Sequence, residues 1–256
     1  NGVGADYAFN LETQRKRIVH VTYESFYDNN DATYDHATHY DYDIHGNVKT
    51  LLQDNPRLGA LADLSQHRFK HFNYVYDLIS GNVHRVDYET GEADQWHHAY
   101  QYDADNRITE VYTTTKTPLT NPDYGVKEVM TEPTVSTYWT KEAEYQYYDH
   151  GPLARTVLGE HEVQGLDYVY TLQGWIKSVN SNDLNGTHDP GRDAGIVAND
   201  VMGYSLHYYS GDYSSISGDN SFIADQSGSD LDNTSFSKSL YNGNIGRMVT
   251  TITNPD

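Results

Sequence analysis

The chain has 256 residues, 37 acidic against 17 basic side chains, a formal net charge of −20 and no cysteine. A surface this acidic repels phosphate backbones and anionic headgroups, which argues against nucleic acid or a membrane surface as partner. Disulfides, thiolate metal sites and cysteine nucleophiles are excluded, and no run of about 18 apolar residues reads as a spanning helix.

Only 37% of the residues are hydrophobic, and 24 tyrosines supply much of the large apolar surface. Tyrosine buries a ring but needs a partner for its hydroxyl, so it suits half-wet sheet faces, and with threonine it favours strands. The chain opens on Asn1-Gly2-Val3-Gly4 without an initiator Met and reads as an internal fragment or processed product.

Along the chain one unit recurs: Tyr-Asp, a short turn holding Gly or Asn, then an aliphatic residue and a further apolar residue three places on. His36 and His39, in the acidic stretch 35–41, read as a solvated strand or loop. The first unit is Tyr42-Asp43-Ile44-His45-Gly46-Asn47-Val48, closing on Leu51. Leu58–Leu64 has room for one or two helical turns. Phe72, Tyr74 and Tyr76 alternate as a strand into the second unit, Tyr76-Asp77-Leu78-Ile79-Ser80-Gly81-Asn82-Val83. Trp96, His98, Tyr100 and Tyr102 share one strand face before the third, Tyr102-Asp103-Ala104-Asp105-Asn106-Arg107-Ile108. A Thr- and Pro-rich insertion, 113–136, follows.

Ala143, Tyr145 and Tyr147 then lead to a shortened fourth unit, Tyr148-Asp149-His150-Gly151-Pro152-Leu153. Leu166, Tyr168 and Tyr170 lead to a fifth, Tyr170-Thr171-Leu172-Gln173-Gly174-Trp175-Ile176, which lacks the Asp. After an insertion at 181–239, dense in Gly, Ser, Asp and Asn, a degenerate sixth begins at Tyr241-Asn242-Gly243-Asn244-Ile245.

Each unit reads as a β-hairpin. Period-two alternation marks the strands, the Asp can accept turn amides, and the Gly or Asn supplies positive φ. Repetition points to architecture rather than catalysis. The expected organisation is a repeat region over 1–180 and a loop-rich continuation over 181–256.

No nucleophile elbow, His-Glu-x-x-His or phosphate loop occurs, so no enzyme is expected and no catalytic residue is named. Asp183, Asn185, Asp189 and Asp193 offer closely spaced oxygen donors in a Gly-rich loop, the donor type Ca²⁺ takes. Asp189-Pro190-Gly191-Arg192-Asp193 reads equally well as a turn locked by an Asp–Arg pair. Trp96, Trp139 and Trp175, with neighbouring acids and amides, could build a shallow glycan site. Trp96 on the repeated inner face and Trp175 at a turn exit also read as core.

The ordered Tyr-Asp units at Tyr42–Val48, Tyr76–Val83, Tyr102–Ile108 and Tyr148–Leu153, with Tyr168–Ile176, Asp189–Asp193 and Tyr241–Ile245, resemble the Rhs/YD-repeat family. The closest likeness is to its secreted Bacteroidetes-type versions. The likeness spans roughly residues 35–250. It implies an all-β fold: an antiparallel sheet of Tyr-Asp hairpins, spiralling as an arc of a cocoon-like shell. It also implies a secreted or cell-surface setting, with the rest of its own polypeptide or shell as partner. An effector cargo encoded elsewhere, or a secretion machinery, would be further partners. The segment would lie upstream of the family's repeat-associated core. The alternative is a glycan-binding adhesin module, calcium-assisted or not.

Overall fold

A computed structural model describes residues 17–24, 34–61, 64–117, 139–182, 197–215 and 239–253, together with 184, 188, 190 and 191. The protein is all-β. Within each of its two compact units the described strands are antiparallel to their neighbours, and neighbours in the chain are neighbours in the sheet. The chain divides into two compact units, Asn1–Thr140 and Lys141–Asp256.

Unit one holds β1 (His20–Tyr23), β2 (His36–Tyr42), β3 (Val48–Asp54), β4 (Phe69–Tyr76), β5 (Val83–Tyr88), β6 (Trp96–Tyr102) and β7 (Ile108–Thr114). A four-residue helix, α1 (Pro56–Gly59), and a 3₁₀ turn, Ser65–His67, sit between β3 and β4. Pro56 at the helix start presets φ and gives up an amide that a first helical turn leaves unpaired anyway. Unit two holds β8 (Thr140–Tyr147), β9 (Leu153–Leu158), β10 (Gln164–Tyr170), β11 (Ile176–Val179), β12 (Met202–His207) and β13 (Arg247–Ile252). β12 lies within the stretch read from sequence as an insertion; the alternation of Tyr204 and Leu206 with small residues is its signal. No helix among the described residues is long and apolar enough to cross a membrane.

Register assigns side chains to faces. In unit one Asp41, Thr50, Asn73, Asp87, His97 and Thr114 are successive cross-strand partners from β2 to β7. They form a polar row. Tyr40, Leu51, Phe72, Tyr88 and Trp96 form the matching row on the opposite face, from β2 to β6. The polar face is the buried one. His97 is 0% exposed, whereas Trp96 beside it is 41% exposed. This corrects the expectation that the aromatic stripe faces inward.

The same face carries Ala37, Leu52 and Ala99, each 0% exposed, and hydrogen bonding offsets the cost of burying its polar groups. The buried charges are paired within the face: His97 Nδ1 meets Asp87 Oδ1 at 2.7 Å, and Arg85 Nε donates to both Asp87 oxygens at 2.9 and 3.0 Å. Unit two repeats the arrangement with Arg155 and Asp167, buried cross-strand partners joined at 2.9 Å. Its polar face is covered from within the unit. A Cβ at Gly203 would lie 2.0 Å from the Ser181 carbonyl, and one at Gly191 would lie 1.7 Å from Arg155 Nη1. Glycine lets the chain cross at backbone distance.

Candidate functional site

The constellation that recurs is the corner, where an incoming strand ends on tyrosine and reverses. In the first corner Tyr42 pairs with Val48 after a bulge, the Asp43 amide donates to the Asn47 carbonyl at 2.9 Å, and Gly46 has φ +102°. The second pairs Tyr76 with Val83, and its Asp77 amide donates to the Asn82 carbonyl. The third pairs Tyr102 with Ile108, the Asp103 amide donates to Arg107, and Asn106 replaces glycine at φ +62°. The fifth pairs Tyr170 with Ile176, with Gly174 at φ +81°.

The carboxylates organise these turns. Asp43 Oδ1 accepts the amides of His45, Gly46 and Asn47 at 2.9, 2.6 and 2.8 Å, and its Oδ2 accepts the Asn47 side chain at 3.0 Å. Partial burial works to raise the Asp43 carboxyl, but these donors outweigh it and hold it below its ordinary value. Asp77 accepts the Ser80 hydroxyl at 2.6 Å and the Ser80 amide at 2.9 Å, which lower its pKa in the same direction. Asp103 accepts the amides of Arg107 and Asp105, each at 2.9 Å, and the Arg107 guanidinium at 2.7 Å, again favouring the charged form. Thr171 substitutes weakly, accepting the Trp175 amide at 3.2 Å.

The fourth corner differs from its reading in sequence by one residue. Tyr147, not Tyr148, pairs with Leu153, and it is the Tyr148 amide that donates to the Pro152 carbonyl, with Gly151 at φ +117°. The turn is therefore full length, with Tyr148 in the place of the Asp and Asp149 exposed at the tip. Two adjacent tyrosines made the register ambiguous; the bulge geometry settles it. Tyr148 cannot accept turn amides, and its hydroxyl reaches forward to the Tyr168 carbonyl at 2.8 Å instead.

The sixth corner is divided. Tyr208 directly follows β12, and its hydroxyl donates to the Ile176 carbonyl at 2.7 Å. His207 pairs with Arg247, and the Gly246 amide donates to the His207 carbonyl. Counting back from that pair with the one-residue bulge of the other corners sets Ile245 opposite Tyr208 and Gly243, at φ +82°, in the glycine place. The degenerate unit at Tyr241–Ile245 thus supplies the outgoing half, and Tyr208 the incoming tyrosine that sequence reasoning missed.

A role for the corner tyrosine emerges. Tyr42, Tyr76, Tyr102 and Tyr208 donate their hydroxyls to the carbonyls of Ile18, Val48, Val83 and Ile176 at 2.6, 2.9, 2.8 and 2.7 Å. Val48, Val83 and Ile176 are each the outgoing residue of the preceding corner. The ladders between hairpins stop short of these carbonyls: β3 to β4 begins at Thr50–Asn73, β5 to β6 at Arg85–Ala99, and β11 to β12 at Ser178–Ser205. The phenol therefore takes the place of the backbone donor that the ladder omits. Burial raises the pKa of Tyr76, Tyr102 and Tyr208, which keeps the donating proton in place.

Asp183, Asn185, Asp189 and Asp193 lie outside the described residues, so the calcium reading of that loop has no geometry to set against it. Among the described residues no three metal-ligating side chains gather. The tryptophans disperse. Trp139 is buried, Trp175 packs on Tyr208 at 5.0 Å between ring centroids and lies 3.2 Å from a Cβ built on Gly243, and Trp96 is half-exposed beside His98.

No family model matches the chain, and no curated protein does. Among solved structures it is similar to a chain of "Crystal Structure of TcdB2-TccC3-Cdc42", with 14% identity and a TM-score of 0.31. That match covers 77% of this chain and 10% of the other, so this chain spans about a tenth of its length.

Proposed function

We propose that the protein is a structural and interaction segment of a secreted or cell-surface Rhs/YD-repeat shell. Successive hairpins would join there into a spiralling wall that carries or encloses an effector encoded elsewhere. One observation carries this reading: at the second, third and sixth corners the tyrosine is hydrogen-bonded to the outgoing carbonyl of the corner before it. A catalytic motif has no reason to recur in this way, whereas a wall needs joints between successive hairpins. The partners that follow are polypeptide: the rest of the same chain or shell, and cargo.

Hydrogen exchange on the Tyr102→Phe and Tyr76→Phe proteins tests the joint. Each loses one hydroxyl whose acceptor is already short of donors, at a cost of about 1 kcal/mol. The expected result is faster exchange in both hairpins that flank the substituted joint, because they open as one unit. Hairpins that exchange independently in the unsubstituted protein, and are unmoved by either change, would defeat the shell reading.

A further inference from the structure

Unit two contains a buried cluster that the corner architecture does not require. Lys177 is fully buried, and its Nζ lies 2.7 Å from Asp212 Oδ1 and 3.2 Å from His207 Nδ1. Asp212 and His207 are themselves buried, each 7% exposed. The second Asp212 oxygen accepts the Tyr208 amide at 2.8 Å.

Lys177 arrives there through the corner's own bulge. Tyr170 pairs with Ile176 and Val169 with Ser178, so Lys177 is the extra residue between them. A bulge re-aims its side chain. The same place in the first corner holds Lys49, which is exposed. Burial of the amine is thus particular to this corner.

We propose that Lys177 and Asp212 become joined by an intramolecular isopeptide bond, formed without any other reactant once unit two has folded. Proton transfer along the 2.7 Å hydrogen bond converts ammonium and carboxylate into amine and carboxylic acid. The Nζ lone pair then attacks Asp212 Cγ. His207 Nδ1 takes the proton that the amine releases as the C–N bond forms. Negative charge collects on Oδ2, where the Tyr208 amide stands ready to stabilise it. The imidazolium returns its proton to the other oxygen, the Cγ–Oδ1 bond breaks, and water leaves. Amine and acid are consumed, one amide and one water are produced, and no oxidant or reductant enters.

Two features favour this outcome over a lasting ion pair. Fixed contact between amine and carboxyl makes an otherwise bimolecular condensation unimolecular, a large rate advantage. A buried ion pair carries a desolvation penalty that a neutral amide does not. The product ties β11 to the segment behind β12 across 35 residues of chain.

Intact-mass spectrometry of the soluble, cooperatively melting protein tests this directly. The expected mass is lower than the sequence mass by one water, with a branched proteolytic peptide joining Lys177 to Asp212. Lys177→Arg should restore the full sequence mass. Asp212→Asn should lose ammonia instead and converge on the same product as the unsubstituted chain. His207→Gln should leave a larger uncondensed fraction at early times after refolding. A folded, unsubstituted protein at its full sequence mass would overturn the proposal.

Discussion

At the scale of single residues, the corner divides its labour between a carboxylate that shapes the turn and a phenol that joins it to its neighbour. Asp43 satisfies three turn amides with one oxygen, so its loss strands donors in a turn whose glycine already stands at positive φ. Asp43→Ala should cost about 1–2 kcal/mol in urea unfolding, by the worth of hydrogen bonds to a charged acceptor. Asp149→Ala should stay within about 0.5 kcal/mol, since Asp149 is an exposed tip residue rather than a turn acceptor. Equal losses at the two positions would show that the fourth corner runs in the register Tyr148-Asp149 after all. The motif's spelling is legible in sequence; the place of each residue in the bulge is not, because one step along the chain exchanges the two sheet faces.

At the scale of strands and their faces, the sheet hides its polar side and leaves its aromatic side half-wet. Both sides then respond to pH. Burial holds His39 and His71 below their ordinary value of 6.5, so between that pH and their folded values the unfolded chain binds more protons. Their contribution to stability is complete above pH 6.5 and declines as pH falls. Further acidification removes the contribution of Asp43, Asp77 and Asp103, whose folded values lie below the ordinary 3.8. On the alkaline side Tyr76, Tyr102, Tyr148 and Tyr208 are raised above 10.0 by burial, so the folded state keeps protons that the unfolded chain releases. Stability from these joints is complete below pH 10 and is lost as pH climbs through the folded values. The Tm should therefore form a plateau between these limits, falling below pH 6.5 and above pH 10. A Tm that stays level from pH 9 to pH 11.5 would separate the phenol joints from stability.

At the scale of the whole molecule, a chain of hairpins ends in strands with open edges. Among the described residues β13 has β12 as its single strand neighbour, and Met248 and Ile252 stand exposed along it. Such an edge is a template for another strand. Sedimentation velocity across a concentration series should show self-association despite the charge of −20, weakened by Met248→Lys with Ile252→Lys. A monomer at every concentration would mean that the edge is not a pairing surface.

What the sequence determined alone was the local grammar. Alternation, turn residues and tyrosine content specify antiparallel hairpins because strand period and turn φ are properties of a few adjacent residues. Only the tertiary structure could decide which face is buried, since Trp96 and His97 alternate identically whichever side is covered. It alone showed that Tyr208 and Gly243, far apart in the chain, complete one corner, and that Lys177 meets Asp212. Those outcomes depend on bulges, crossings and closures between distant segments, and no local period encodes them.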